Sequence, residues 1–365
     1  MVKDTNIRSL MREHLLGIEA YAGVQPPEVL AERIGVHVDQ IIKLDANENP
    51  YGPSPKVAGV LAGYNGYPVY PDPQQRRIRQ VIAGYVGTTP EHIVAGSGSD
   101  ELIDLLIRLF IDPGDVLIQC TPTFGMYESF ARVCGAELIS IPRDGHFDLD
   151  IPSICEAANK GSKMIFIPSP NNPTGNLVTE VAVRELLDSG IMVVVDEAYY
   201  EFSGSTVALM VDKYPNLIVL RTFSKWAGLA SLRIGYGVMH PIVAERLMAI
   251  KPPYNITAAS ELALIASLDD KELLLSRVGK LVQSRENLFK ELGDIKGLTP
   301  FPSKANFILC HVSNGKGSWL YNELAKRGVF VRYYGKPPIE DYLRISIGLP
   351  DQNQALLTIL KKTLL

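Results

Sequence analysis

Leu217-Ile-Val-Leu-Arg-Thr-Phe-Ser-Lys-Trp-Ala-Gly-Leu-Ala-Ser-Leu-Arg233 is the stretch whose reading decides the fold. Leu217 to Leu220 is an apolar run of strand character, and the residues just beyond it are chemically equipped: Thr222, Ser224, Lys225 and, eight residues after the lysine, Arg233. A lysine at the end of a buried strand, flanked by hydroxyls and an arginine, suits an amine used as a nucleophile. A solvated surface lysine is the ordinary alternative. The remainder of the chain decides between the two.

Working outward, the same strand-then-polar-loop grammar recurs. Ile93-Val-Ala95 runs into Gly96-Ser-Gly-Ser99 and then a helical pattern from Asp100 to Phe110, with apolar residues at 102, 103, 105, 106, 109 and 110. Backbone N–H groups at such a helix start, approached closely where glycine has no side chain, form a seat for phosphate. The third glycine of the dinucleotide fingerprint is missing. Val116 to Cys120 ends in Thr121-Pro-Thr-Phe-Gly-Met-Tyr127, Lys163 to Ile167 in Pro168-Ser-Pro-Asn-Asn-Pro-Thr-Gly175, and Ile191 to Val195 in Asp196-Glu-Ala-Tyr199. A helical segment, Glu180 to Asp188, separates the last two strands. Alternation of this kind predicts parallel strands with right-handed crossovers, and ligand sites then gather at the carboxyl ends of the strands.

On the amino-terminal side, Ile7, Leu10, Met11 and Leu15 predict a short amphipathic helix. Ile41 to Leu44 predicts a strand that runs into the stiff, polar loop Asp45-Ala-Asn-Glu-Asn-Pro-Tyr-Gly-Pro53, in which Asn47 is a candidate substrate contact. Tyr64 to Pro73 reads as another loop. Beyond Pro252-Pro253 the pattern becomes two long helices, Ala258 to Leu268 and Lys271 to Leu292, then strand, helix, strand, strand and helix at 306–312, 319–327, 329–333, 342–347 and 353–362. The expected organisation is an arm at 1–38, a large unit at 39–252 and a smaller α+β unit at 253–365 that the arm completes.

Composition narrows the function classes. With 365 residues, 46% hydrophobic, the chain can bury a large core. The 36 basic and 40 acidic residues are intermixed, which argues against nucleic acid as a partner. Four cysteines without C-x-x-C spacing, and an N-terminal segment interrupted by charges, lead us to expect a soluble cytoplasmic protein; the six histidines show no metal-ligand spacing.

A lysine that holds an aromatic aldehyde with a phosphate handle, pyridoxal phosphate, needs several partners. A buried carboxylate must keep the ring nitrogen protonated, and Asp196 stands at a strand end for this. The phenolic oxygen needs donors, which Asn172 and Tyr199 can provide. The phosphate needs the backbone amides of Ser99 and Asp100, the hydroxyls of Thr222 and Ser224, and Arg233. Phe124 can cover the ring face.

At these residues the chain resembles the fold-type-I pyridoxal-phosphate aminotransferases, through Ser-Pro-Asn-Asn-Pro-Thr-Gly at 169–175, Asp-Glu-Ala-Tyr at 196–199, Thr-Phe-Ser-Lys at 222–225 and Arg233. Within them it is similar to the histidinol-phosphate aminotransferases, through Leu-Asp-Ala-Asn-Glu-Asn-Pro-Tyr-Gly-Pro at 44–53, Tyr70-Pro-Asp72, Gly-Ser-Gly-Ser-Asp-Glu at 96–101, Pro-Thr-Phe-Gly-Met-Tyr at 122–127 and Leu-Arg-Ile-Ser-Ile-Gly at 343–348. The resemblance implies an α/β fold: a large domain with a mostly parallel sheet flanked by helices, plus a smaller α+β domain. It implies transamination between histidinol phosphate and 2-oxoglutarate in histidine biosynthesis, with glutamate as the other amino acid. Lys225 becomes the covalent cofactor lysine and proton shuttle, and Tyr70 a phosphate ligand given across a homodimer interface. Arg332 and Arg344 become substrate anchors, and Tyr21 a substrate contact from the arm. Phe124 departs from the tyrosine that many relatives carry. An aromatic amino-acid aminotransferase or a threonine-phosphate decarboxylase of the same fold is the alternative.

Rival chemistries lack their parts. Met192-Val-Val-Val-Asp-Glu197 resembles a magnesium-binding strand of nucleotide hydrolases, but no Gly-x-x-x-x-Gly-Lys-Ser/Thr accompanies it: Cys310 stands where the first glycine before Gly315-Lys316 is required. The Gly-x-Ser-x-Gly elbow of serine hydrolases is also absent.

Overall fold

The computed structural model describes residues 6–20 and 23–364. Twelve strands are found among them: β1 (Ile42–Leu44), β2 (Ile93–Gly96), β3 (Val116–Thr121), β4 (Glu137–Pro142), β5 (Met164–Pro168), β6 (Met192–Asp196), β7 (Leu217–Thr222), β8 (Gly235–Met239), β9 (Leu298–Pro300), β10 (Phe307–Val312), β11 (Val329–Tyr333) and β12 (Tyr342–Ser346). They make a seven-stranded sheet, β2-β8-β7-β6-β5-β3-β4, and a five-stranded sheet, β1-β11-β12-β10-β9.

The large sheet is parallel apart from β8, which runs antiparallel to both its neighbours. Its central strands are almost purely β-branched or aliphatic and are covered by helices on both faces, as a buried parallel sheet requires. Side-chain alternation sends successive residues to opposite faces. Val94, Phe166, Val194, Ile218 and Leu220 pack with the helices Ser99–Phe110, Met126–Cys134 and Pro241–Ile250, while Ala95, Ile165, Val193, Val195 and Val219 join the core on the other face. Since β2, β3, β5, β6 and β7 run the same way, their carboxyl ends share one edge. Asp196, the last residue of β6, continues the row of Val194 and so meets the layer that contains Tyr127 and Phe166.

The second sheet is antiparallel apart from β1, which lies parallel to β11. The expected boundary at residues 38/39 therefore does not follow the sheets, because β1 pairs with Val329–Val331. One buried apolar cluster runs on from the large sheet into this one, through Leu264, Leu274, Phe307 and Leu356. After the break at Pro252-Pro253 the helix Ala258–Leu268 is started by Thr257, whose hydroxyl accepts the Ser260 N–H at 3.1 Å.

The arm differs from the expected helix. Where a helix is expected, residues 7–15 form two short 3-10 turns, Ile7–Leu10 and Glu13–Leu15, with Ile7, Leu10 and Met11 at 62%, 69% and 52% exposure. A segment this short holds an α-helix only when its apolar face is covered, and here that face is open. His14 lies against the helix Met126–Cys134, 3.3 Å from Val133 O, while Arg33 of the helix Pro27–Ile34 packs over Phe330. No helix among the described residues is long and apolar enough to cross a membrane.

Candidate active site

A cavity of about 460 Å³ opens where the carboxyl ends of the parallel strands face the second sheet. Its walls include Lys225, which the loop after β7 turns inward, and Nζ donates to the Ala46 carbonyl at 3.1 Å. Burial, reinforced by the nearby Arg344 cation, pushes the amine's pKa down to about 8. About a tenth of it is therefore neutral at pH 7, far more than for an ordinary lysine, and the neutral form is the nucleophile.

Asp196 faces the same cavity. Tyr127 Oη donates to its Oδ2 at 2.7 Å, and the Ala198 N–H donates to Oδ1 at 3.1 Å. Burial raises its pKa to about 6 against these two bonds, so the carboxylate is ionised at neutral pH in surroundings that favour a cationic partner. Tyr127 is fully buried and stacks on Phe166 at 4.8 Å. The motif at 122–127 contains Tyr127, but nothing along the chain points to its role, because it sits 69 positions from Asp196 and no local pattern joins them.

Tyr199 is held by Asn47, whose Nδ2 donates to the tyrosine oxygen at 2.9 Å. Burial pushes the Tyr199 phenol up to about 12, so it stays a donor. Asn47 sits in the left-handed region, φ 54°, and its Oδ1 accepts from Ser346 Oγ at 2.9 Å. Expected as a substrate contact, Asn47 lines the cavity, but its amide is committed to Tyr199 and Ser346.

One end of the cavity is formed by the start of the helix Ser99–Phe110 and by Thr222, Ser224 and Arg233, a set of donors suited to an anion. The Thr222 and Ser224 hydroxyls lie 2.9 Å apart. Arg233 Nη2 is 3.2 Å from Asp100 Oδ2 and crowds Gly98, where a Cβ would stand 2.5 Å from that nitrogen. Gly98 also has φ +77°, so two independent constraints select glycine there. Phe124 lines the cavity and meets Tyr127 edge-on at 5.5 Å.

At the other end, Arg332 and Arg344 are directly opposite one another in the β11–β12 register, and both line the cavity. Arg344 Nη1 donates to Asn172 Oδ1 and Nη2 to the Asp45 carbonyl, each at 2.6 Å. Its Nε is buried without a hydrogen-bond partner. An unmatched buried donor is costly. An anion that reached Arg344 at this end of the cavity would supply its acceptor.

Two expected residues are not gathered here. Tyr70 is 76% exposed and stacks on Tyr254 at 4.5 Å, away from its own chain's cavity. Tyr21 lies outside the described residues.

The donor set fits pyridoxal phosphate. An ionised buried carboxylate faces a ring-sized cavity, with an anion cradle at one end and a lysine of lowered pKa beside it. Fold and cavity together define a lysine-centred transferase, and the chain belongs to the aminotransferase class I and II family, whose model matches residues 39–360. It is 47% identical to the histidinol-phosphate aminotransferase of Roseiflexus castenholzii, over 98% of this chain and 99% of that protein. To the chloroplastic histidinol-phosphate aminotransferase of Nicotiana tabacum it is 45% identical, over 97% of this chain and 86% of that protein. Among solved structures, that of histidinol-phosphate aminotransferase from Sinorhizobium meliloti in complex with pyridoxal-5'-phosphate superposes with a TM-score of 0.89 at 25% identity, covering 98% of both chains.

Proposed function

We infer that the chain is a pyridoxal-phosphate-dependent aminotransferase that interconverts histidinol phosphate plus 2-oxoglutarate and imidazole-acetol phosphate plus glutamate, a step of histidine biosynthesis. The observation that carries the substrate assignment is the facing pair Arg332 and Arg344 in one cavity with Lys225. Both amino donors bring an anion to that pair, a phosphate in one case and a carboxylate in the other, and a planar guanidinium can grip either with paired hydrogen bonds.

Pyridoxal phosphate, when bound, takes up the amino group and the electrons of the substrate's Cα–H bond. Ser99, Thr222, Ser224 and Arg233 would hold its phosphate. Asp196, oriented by Tyr127, holds a proton at the ring nitrogen. Tyr199, oriented by Asn47, and Asn172, oriented by Arg344, donate to the phenolic oxygen. Lys225 Nζ would anchor the cofactor, and as a free amine it would be the base that moves the proton from the substrate's Cα. Its lowered pKa suits a base working near neutral pH.

The substrate assignment is tested by kcat/KM with saturating 2-oxoglutarate. Histidinol phosphate is expected to exceed phenylalanine by about 100-fold or more, the size of two charge-assisted hydrogen bonds. Equal values would make an aromatic aminotransferase the better description.

We also propose a homodimer in which Tyr70 completes the partner's phosphate site. Tyr67, Val69 and Tyr70, at 72%, 72% and 76% exposure, form an uncovered aromatic and aliphatic patch beside Tyr254. Sedimentation is expected to give twice the 40.1 kDa chain mass, and Tyr70→Phe to weaken cofactor binding about tenfold through one lost bond to a dianion. A fully active monomer would overturn this. Four free cysteines suit the cytoplasm, the compartment we assign.

A further inference from the structure

Immediately under the anion-binding turn lies a carboxylate, which shares the helix start with any bound anion and repels it. Glu101, in the first turn of the helix Ser99–Phe110, accepts the Ser97 N–H at 2.6 Å and the Asn255 amide at 2.7 Å, both on Oε2. Its negative charge lowers the affinity of the turn for any anion. The geometry shows what the chain gains in exchange.

β2 is an edge strand, paired with β8 alone among the described strands, and its other side would leave Ala95 with unmatched backbone groups one residue before the turn. Gln75 fills that side. Its Oε1 accepts the Ala95 N–H at 3.0 Å and its Nε2 donates to the Ala95 carbonyl at 2.9 Å, so one side-chain amide replaces a neighbouring strand. The same Nε2 lies 2.9 Å from Asn255 Oδ1, and Asn255 Nδ2 reaches both the Ala95 carbonyl and Glu101. Gln75 is 2% exposed and adopts φ 53°, a left-handed conformation that is strained for a non-glycine residue. Lys251 secures the same loop from beyond it, donating to the carbonyl of Pro73 at 3.0 Å and to those of Pro252 and Pro253 at 3.2 Å.

We propose that Gln75, Asn255 and Glu101 are positioning residues for the phosphate of the cofactor: together they fix the backbone of residues 96–99, and Glu101 acts there as a two-fold acceptor rather than as a charge. The relay begins in the loop that carries Tyr70, so the element given to the partner's site and the cradle of the chain's own site are held by one set of bonds. The proposal rests on the reading that this cavity holds a phosphate-bearing cofactor.

The test compares Glu101→Ala with Glu101→Gln in protein stripped of cofactor. Binding of pyridoxal phosphate is read by fluorescence titration and binding of inorganic phosphate by the rise in melting temperature. Glutamine keeps an oxygen that can accept both N–H groups and removes the charge, so its affinity is expected to equal or exceed that of the wild type. Alanine removes both, and its affinity is expected to fall about tenfold or more. If charge alone mattered, the two variants would bind equally and more tightly than the wild type, and the proposal would be wrong. It would also be wrong if Glu101→Ala bound like the wild type. Should Glu101→Ala fail to fold, Gln75→Gly is the second variant, since glycine suits the backbone conformation and removes the side chain that carries the amide; wild-type affinity there would equally overturn the proposal. A wild-type protein that binds neither probe overturns the cofactor reading itself, a result separate from any difference between variants.

Discussion

Replacing Lys225 with alanine is expected to abolish transamination, by about 10⁴-fold or more in kcat, because under the proposed mechanism the substitution removes both the covalent anchor and the base. Asp196, Arg233 and the start of the helix Ser99–Phe110 remain, so the variant is expected to bind pyridoxal phosphate non-covalently, with the spectrum of a free aldehyde. Turnover within tenfold of the wild type would remove Lys225 from the mechanism. A pH experiment on the cofactor-free wild type probes the same atom. The neutral amine is the reactive form and dominates above the pKa, so capture of an added aldehyde should rise as pH passes about 8, whereas an ordinary lysine would need pH near its usual 10.5. Burial is the first cause of this depression and the Arg344 cation the second, so Arg344→Met is expected to move the midpoint upward. A wild-type midpoint near 10.5 would contradict the buried setting of the amine.

Asp196→Asn is the second large effect, and its two consequences point in opposite directions. Without the carboxylate the proton on the ring nitrogen loses its counter-charge, and kcat is expected to fall by about 10³-fold. Stability of the cofactor-free chain should not fall with it. The carboxyl's pKa is raised from 3.8 to about 6 in the folded state. A raised carboxyl contributes stability that is present below its unfolded pKa and lost as pH rises through its folded one. At neutral pH the ionised Asp196 therefore weighs against the fold, and asparagine removes that charge while its Oδ1 accepts from the Ala198 N–H and its Nδ2 donates to Tyr127 Oη. The variant is expected to melt at or above the wild-type temperature at neutral pH, with the difference closing as pH falls toward the unfolded value of 3.8. Lower stability at neutral pH together with retained activity would refute both halves. Reduced activity with undiminished stability would mark Asp196 as a charge kept for function at a cost in stability.

Much of this architecture is readable along the chain because the large sheet is built from local signals. Met164–Pro168, Met192–Asp196 and Leu217–Thr222 announce themselves as uninterrupted apolar runs, and in each the functional residues come where the strand ends. The long helices are equally plain: Ala258–Leu268 begins at a threonine cap and ends where its apolar pattern ends. β8 escapes a reading by pattern because Gly235-Tyr-Gly-Val-Met carries two glycines, which weaken strand character. The sheet needs glycine at 235, since a Cβ there would stand 2.7 Å from Ser99 N. β4 escapes it because it is an edge strand with little burial, and so lacks the apolar run that marks its neighbours.

The sequence by itself determined the parallel α/β architecture, the place of Lys225 just after β7, and the positions of Asp196, Asn172 and Ser99 at or just beyond strand ends. These depend on residue type and on order along the chain, and strand ends are local features. Only the tertiary structure decided how those residues are held. Tyr127 reaches Asp196, Asn47 reaches Tyr199, Arg332 comes to face Arg344, and Gln75 takes the place of a strand beside Ala95. Each pairing except Arg332 with Arg344 joins different segments across a fold core or a sheet edge, and even that one depends on the β11–β12 register. Such contacts are set by packing and by the need to satisfy buried polar groups, which no spacing in the sequence records.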